Sequence, residues 1–545
     1  MHFLKSRFTI VLTILCVALV AVPVASARHK EPAGPQKIIY IPHDNRPISD
    51  KQTAAVVEKL GYDVIVPPTD MLGSRDNLGN PDALWTWLEE NAKGADAAVI
   101  SSDSMLYGSL VGSRKHTYTQ EQVLDRAKRF RTFHKEFPKL KLYAFGSIMR
   151  TPRTGEASGH EEPEYYRNYG ADIFRYTVLK DKQEVEGLTR REKKEYSFLE
   201  KLIPQKSLQD WLGRRTKNFA ANEEFIRQTR DNVFSYYVLG RDDNAPYSQT
   251  HMESRHLAEE GKDLGKTQFQ AMAGIDEIGM LMLTRSINDM RKEMPFVYTR
   301  YNWGRGEFTV PSYSDEPIRD SIASAIAAAG GMAVRSPEKA DLVLLVNTNP
   351  NGKTGEANDR ANDGTPRDGT KYFADIVNDC VAAGYPVAIA DIAYANGSDN
   401  ALMKELKDRG LLFKIHAYAG WNTATNSTGF VIGEGMLIKH MKPEAVDDLL
   451  VTRYLDDWAY QANVRNTMAC QLTWLRGDGF YGSLDGKMDA VKYRSTRMMT
   501  RFVEDNLPPM ESLEEIEVTF PWNRMFESDI LHGPHVEPQY FTMKK

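Results

Sequence analysis

Two short stretches hold the side chains best suited to chemistry. Leu239 to Ser248 sets Arg241, Asp242, Asp243, Asn244 and Tyr247 directly behind an apolar run, and Ala417 to Asn426 joins Trp421 to Asn422, Asn426 and two threonine hydroxyls. Adjacent residues point in different directions, so Asp242 and Asp243 are expected to divide the work. One would bind Arg241 or a backbone amide while the other faces a pocket. An aromatic face stacks on the apolar face of a sugar, while Asn and Asp bond its hydroxyls; Trp421 reads equally well as a core anchor at a strand–helix corner. Cleaving a glycosidic bond takes one protonated and one ionised carboxyl group. Asp103, Asp243 and Asp276 are the candidates for acid, base or nucleophile, with Asp44 and Asp391 next. Asp44, Arg46, Arg114, Arg150, Asn244, Glu277, Asp391, Asn396, Trp421, Asn422 and Asn426 are the candidate substrate-binding groups, the arginines suiting an acidic or oxygen-rich ligand.

For any one strand-end Asp or Asn, helix capping or turn formation is the simpler explanation. Capping explains neither the arginines nor the aromatic neighbours, and so the collection points to a pocket. The same carboxylates could hold a divalent cation through oxygen ligands, although no cofactor is expected and no metal ligand is assigned. His251 and His256 stand five residues apart, off a common helix face, and do not form a zinc-protease motif. Nucleophile-elbow, Walker and dinucleotide glycine fingerprints do not occur behind the apolar runs.

The elements that must position these groups follow one grammar: an apolar run, a polar cluster, then a helical stretch. Ile38–Ile41, Val64–Val66, Ala97–Ile100, Leu142–Phe145, Tyr236–Leu239 and Phe269–Ile275 all fit it, and the pattern returns at Asp341–Val346, Val387–Ala390 and Phe413–Ala417. Short continuous apolar runs alternating with helices mark buried parallel strands. The expected fold is α/β: two Rossmann-like parallel-sheet lobes with a helical C-terminal region, the alternative being a distorted (β/α) barrel in the first half. The expected domains are 36–300, with a charged helical insertion near 181–232, then 301–435, then a mainly helical 436–545 with a returning strand at Val518–Trp522. The polar loop 350–370 is either a disordered connection or a flap. In parallel α/β sheets ligands bind beyond the carboxyl ends of the strands, which is where the polar clusters fall.

Residues 1–27 have the three parts of an export signal: Lys5 and Arg7, an uncharged apolar stretch from Phe8 to Val22, and Ala25-Ser26-Ala27 at the cleavage positions. The apolar stretch is shorter than the ~20 residues that span a bilayer. A secreted or periplasmic protein with no stable membrane anchor after signal cleavage is therefore expected. The formal charge of −5, with charges of both signs interspersed, offers no basic face for nucleic acid. Cys380 and Cys470 could form one disulfide but do not make a cysteine scaffold.

The clusters together resemble a bacterial family of uncharacterised proteins, domain of unknown function 4127. The matching pieces are Ile41–Pro47, Asp103–Arg114, Ile148–Arg150, Gly240–Ser248, Gly274–Glu277, Ala390-Asp391 with Asn396-Gly397, Ala417–Gly429, Asp457–Gln461 and Phe520–Arg524. His43 departs from the pattern, where an aliphatic residue is usual, which weakens any metal role for it. The resemblance implies one whole-length unit and carries no activity. The residues themselves lead to an extracytoplasmic hydrolase of a glycan or related polyhydroxylated substrate. A non-catalytic glycan-binding protein and a metal-dependent hydrolase of phosphate or amide bonds are the alternatives.

Overall fold

A computed structural model describes residues 35–155, 161–471 and 480–534. The export signal read at residues 1–27 lies outside the described residues. The described residues from 36 onward fold as one compact unit.

The apolar runs become strands because their side chains are buried on both faces, as parallel sheets require. The first sheet contains β1 (Lys37–Ile41), β2 (Asp63–Ile65), β3 (Ala97–Ser101), β4 (Lys141–Ile148), β5 (Tyr236–Arg241) and β6 (Phe269–Ala273), all parallel, in the order β2-β1-β3-β4-β5-β6. The second contains β7 (Phe296–Tyr301), β8 (Met332–Val334), β9 (Leu342–Asn347), β11 (Val387–Asp391) and β13 (Ala417–Ala419), also parallel, in the order β13-β11-β9-β7-β8. Two-residue strands β10 (Gly355–Glu356) and β12 (Tyr394–Ala395) pair with each other, and β14 (Glu515–Thr519) with β15 (Asp529–Gly533) form an antiparallel pair.

Counted from its own first strand, the second sheet has the spatial order 2-1-3-4-5 and the first the same order with a sixth strand added, 2-1-3-4-5-6. In sheets of that order the ligand crevice opens beyond the carboxyl ends, between strands one and three. This molecule therefore has two such positions, after β1 and β3 and after β7 and β9.

The sheets share a core. Val99 and Tyr143 from the first sheet belong to the same apolar cluster as Leu344 and Ile389 from the second. Helices Ile278–Arg291 and Ala424–Leu437 pack on each other between the sheets, and every residue of the second helix is buried. Glycines permit the close approach: a Cβ on Gly429 would lie 2.2 Å from Cγ of Glu277, and one on Gly433 2.9 Å from Cγ of Met280.

Several expectations shift. Strands β7 and β8 are additions to the sequence reading: Phe296–Tyr301 is only partly buried and alternates with Thr299 and Arg300, so its apolar signal is weak. The run from Phe413 enters its strand only at Ala417. The helical insertion comprises Tyr166–Val185, Arg190–Leu202 and Gln205–Arg230, beginning earlier than 181. Cys380 is buried and Cys470 exposed, and the two do not form a disulfide with each other. Among the described residues no helix is long and apolar enough to cross a membrane.

Candidate functional site

A cavity of about 520 Å³ opens at the carboxyl ends of the first sheet. Arg46 comes from the turn after β1, Arg150 from the end of β4, Asp242, Asp243 and Asn244 from the turn after β5, and Asp276 from the turn after β6. The second half of the chain adds Tyr313 from behind β7, Asn396 from behind β12, and Asn422 and Asn426 from behind β13. Tyr481, Arg524, Phe526 and Glu527 close it from the C-terminal region.

Asp276 sits at the centre of one knot of polar contacts. Its Oδ1 accepts from Arg46 Nη2 at 2.6 Å, and its Oδ2 from Arg46 Nη1 at 3.2 Å, Asn422 Nδ2 at 2.9 Å and Asn426 Nδ2 at 3.1 Å. Asp44, fully buried behind the wall, accepts from Arg46 Nε and so fixes the guanidinium plane. His43 Nε2 lies 3.2 Å from Asp276 Oδ1. Burial pushes the Asp276 carboxyl up, but Arg46 and His43 outweigh it and hold the group well below the usual carboxylate range. Asp276 is a fixed anion.

A second knot surrounds Glu161. Its carboxylate meets Arg114 at 2.6 Å, Arg150 at 3.3 Å and Arg524 at 2.8 Å, and those three cations overcome burial to depress its pKa. Arg114 also meets Asp242 at 2.6 Å, Arg150 meets Glu162 at 2.9 Å and Asp243 at 3.2 Å, and Arg524 is bidentate to Glu527. Asp243 behaves differently from Asp276. Its carboxyl is pushed up to about 6, by burial first and by the Asp242 charge second, against the pull of Arg150 and Arg114. It is also the most accessible carboxylate of the wall, with 31% of its side chain exposed.

The backbone here is strained. Asp243, Tyr313, Asn396 and Asn422 all have positive φ, at 33°, 64°, 63° and 53°. Residues other than glycine adopt such angles at a cost of order 1–3 kcal/mol, and they gather where a site needs a particular side-chain aim. Four on one cavity wall is the geometric mark of a functional site. They are braced: Asn396 N donates to Asn422 O at 2.7 Å, Arg465 donates to Asn396 O at 2.9 Å, and Gly420 N donates to Asp457 at 2.8 Å. Asp457 and its neighbours form a buried π-helical stretch, Tyr454–Val464.

Of the candidate residues, the structure brings Arg46, Arg114, Arg150, Asp243, Asn244, Asp276, Asn396, Asn422 and Asn426 to one wall. Five others fall elsewhere. Asp103 is buried beneath, accepting from Ser147 N at 2.9 Å, and burial pushes it up to about 7. Asp44 braces Arg46. Glu277 lies between the sheets in a crevice too narrow for water, without a hydrogen-bond partner for either oxygen, pushed by burial up to about 8. Trp421, 6% exposed, packs in that crevice beside Phe430, so it is the core anchor and not a stacking platform. Asp391 belongs to the second sheet. Its oxygens take Asn347 Nδ2 at 2.9 Å and Asp399 N at 2.7 Å, with the Tyr418 hydroxyl at 2.8 Å. The arginines are not open anion receptors either, because each of Arg46, Arg114 and Arg150 already holds at least two carboxylates.

Sequence reasoning missed Glu161, Glu162, Tyr313, Tyr481 and Glu527. The Glu161-Glu162 pair eleven positions past a strand-end arginine is a legible signal in hindsight; the other three have none without the fold. No group of three or more His, Cys, Asp or Glu in a metal-holding arrangement occurs among the described residues. A model of the family described as a protein of unknown function (DUF4127) matches residues 38–531. No curated protein matches the chain. From its first strand to its last, the chain belongs to the DUF4127 family.

Proposed function

We propose that this protein is an extracytoplasmic hydrolase acting on a glycan or related polyhydroxylated substrate, with Asp243 as the proton donor. One observation carries the reading: two carboxyl groups in one cavity have environments that drive them apart, Asp243 towards the protonated form and Asp276 towards the anion. Such a split is how acid and base roles are assigned within a pair. Asp243 would give its proton to the leaving oxygen as the C–O bond breaks, and water would add to the carbon and return a proton to Asp243. Asp276, saturated by Arg46, Asn422 and Asn426, would stay ionised and stabilise positive charge developing in the transition state. Asn244, Asn396 and the Thr423 and Thr425 hydroxyls supply bonds to substrate hydroxyls. The extracytoplasmic part rests on Lys5, Arg7, the apolar stretch and Ala25-Ser26-Ala27.

The deciding experiment is a screen of glycan and model glycoside substrates with wild type and Asp243→Asn. The variant should lose turnover by about 10²–10⁴-fold while still binding substrate. Binding without turnover in the wild type would leave the second reading, a glycan-binding protein, which the saturation of every Asp276 oxygen favours.

A further inference from the structure

A strip of outward-facing aromatic side chains leads up to the cavity. Between β7 and the helix Ile318–Ala328 the chain buries Asn302, Gly306, Thr309, Pro311 and Ser314 and turns Trp303, Phe308, Val310 and Tyr313 outward. Trp303 stands apart: it is 51% exposed, whereas every other described tryptophan is 9% exposed or less. Tryptophan is covered for the most part in folded proteins, and exposed apolar groups gathered within a polar rim mark a binding surface. Tyr313, at the other end of the strip, already lines the cavity, and its positive φ aims it there against the backbone's own preference.

The polar loop 350–370 runs beside this strip and is fastened to it at both ends. Arg305 N donates to Pro350 O at 3.0 Å, and Gly304 comes so close that a Cβ would lie 2.5 Å from Cα of Pro350. Ser312 N donates to Thr354 Oγ1 at 2.8 Å. The Tyr313 hydroxyl faces Glu356, whose other oxygen accepts from Asn396 Nδ2 of the cavity wall at 2.8 Å. Trp303 is held as well: its backbone N donates to Asn302 Oδ1 at 2.9 Å, and a Cβ on Gly369 would come within 3.1 Å of Nε1. A side chain fixed before the ligand arrives loses less freedom on binding. From Pro350 to Glu356 the loop can stretch no more than about 22 Å, a length that a short oligosaccharide covers. The loop's exposed side chains are Asn351, Lys353, Asn358 and Asp359, hydrogen-bonding groups and not aliphatic ones. Ring faces among amides and charges repeat outside the cavity what Tyr313 and Asn396 present at its wall, and this favours a sugar chain over a protein partner or a second copy.

We propose that the substrate is a glycan chain and not a single small sugar, and that its rings outside the cavity lie along residues 303–313 with Trp303 and Tyr313 as stacking platforms. This rests on the reading of the cavity as a glycan site and adds the length of ligand that the site takes. Asp243 keeps its proton and its role, because the added contacts lie outside the cavity.

The test is calorimetric titration of the full chain with the dimer and the hexamer of three sugars: glucose, N-acetylglucosamine and galacturonic acid. For the sugar that binds, the hexamer should exceed its dimer by about tenfold or more in affinity. Trp303→Ala should bring the hexamer down to about the affinity of the dimer while leaving the dimer's own affinity and the denaturation midpoint unchanged. Trp303→Tyr, which keeps a ring, should restore most of the loss. The hexamer alone should shield Trp303 from acrylamide quenching, a signal set apart because the other described tryptophans are covered. Equal binding of dimer and hexamer, or a hexamer affinity that survives Trp303→Ala, overturns the outer platforms and leaves the glycan reading standing. Self-association of the chain that disappears with Trp303→Ala assigns the strip to a second copy and overturns them too. No binding of any oligomer at millimolar concentration overturns the glycan reading itself, and the platforms with it.

Discussion

The two crevices make a natural pair, since each lies at the carboxyl ends of a sheet with one strand order and only one of them is open. Beyond the second sheet, Asn347 donates to Asp391 at 2.9 Å and to Asp399 at 3.1 Å, Asn302 donates to Asn347 at 3.1 Å, and Arg367 from the 350–370 loop reaches Asp399 and the Tyr394 hydroxyl. The chain's own side chains occupy the place where a ligand would sit. Beyond the first sheet the corresponding charges line a cavity of about 520 Å³ under strained backbone, and two buried amide atoms lack partners. The same topology thus ends in a filled crevice in one half and an open cavity in the other. What decides between them is whether the polar groups are completed from within.

That contrast can be attacked by mutation. The heaviest stability loss is expected from Arg524→Met, although it lies on the open crevice, because it removes the salt-bridge partner of the buried Glu527 and one of three cations on Glu161. A cost of about 3–5 kcal/mol in denaturant unfolding is the range for breaking a buried pair. Asn347→Ala in the filled crevice should cost about 1–3 kcal/mol, by leaving Asp391 and Asp399 short of a donor, without altering ligand binding. Asn422→Ala in the open crevice should do the reverse, weakening ligand binding by about tenfold with a smaller change in stability. If Asn347→Ala abolished activity instead, the division of labour would be wrong.

A gentler test uses pH. Glu277 and Glu434, both between the sheets and both without a hydrogen-bond partner for either oxygen, are pushed by burial up to about 8. Their folded pKa values lie above the unfolded value near 4.3, so the folded state holds the extra protons. Their contribution is complete below about pH 4.3 and is lost as pH rises through about 8. Asp103, Asp391 and Asp457, each raised to about 7, add loss of the same sign. The denaturation midpoint should fall between pH 5 and 8, and Glu434→Gln should flatten that slope. A midpoint that climbs over the interval would show that these carboxyls are ionised in the folded protein.

Much of the first sheet could be read from the sequence, because Ile38–Ile41 and Ala97–Ile100 are continuous apolar runs that only a sheet buried on both faces explains. Strand β7 could not, since Tyr298, Thr299 and Arg300 are only partly covered and lack the signature. The helix Ala424–Leu437 shows the same limit from the other side: it is buried all round, so no polar face alternates with an apolar one to announce it. At the site, Asp243, Asp276, Asn422 and Asn426 line one cavity, a convergence that residue type and strand-end position, which are local information, suggest. Depth is not local. Whether Asp103 or Trp421 faces solvent depends on what packs above it, which the flanking residues do not record. Glu161 and Arg524 are 363 positions apart and meet only through the fold.

That last pairing bears on the life of the chain as it is made. Arg46 leaves the ribosome long before Arg524, yet both stand on one wall, with Glu161 bridging Arg524 to Arg114. Until the final segment docks, Glu161 and Arg46 lack part of their enclosure and the pocket has no floor. A copy lacking the segment that carries Arg524 and Glu527 is thereby left with an open cavity and with Glu161 short of one cation.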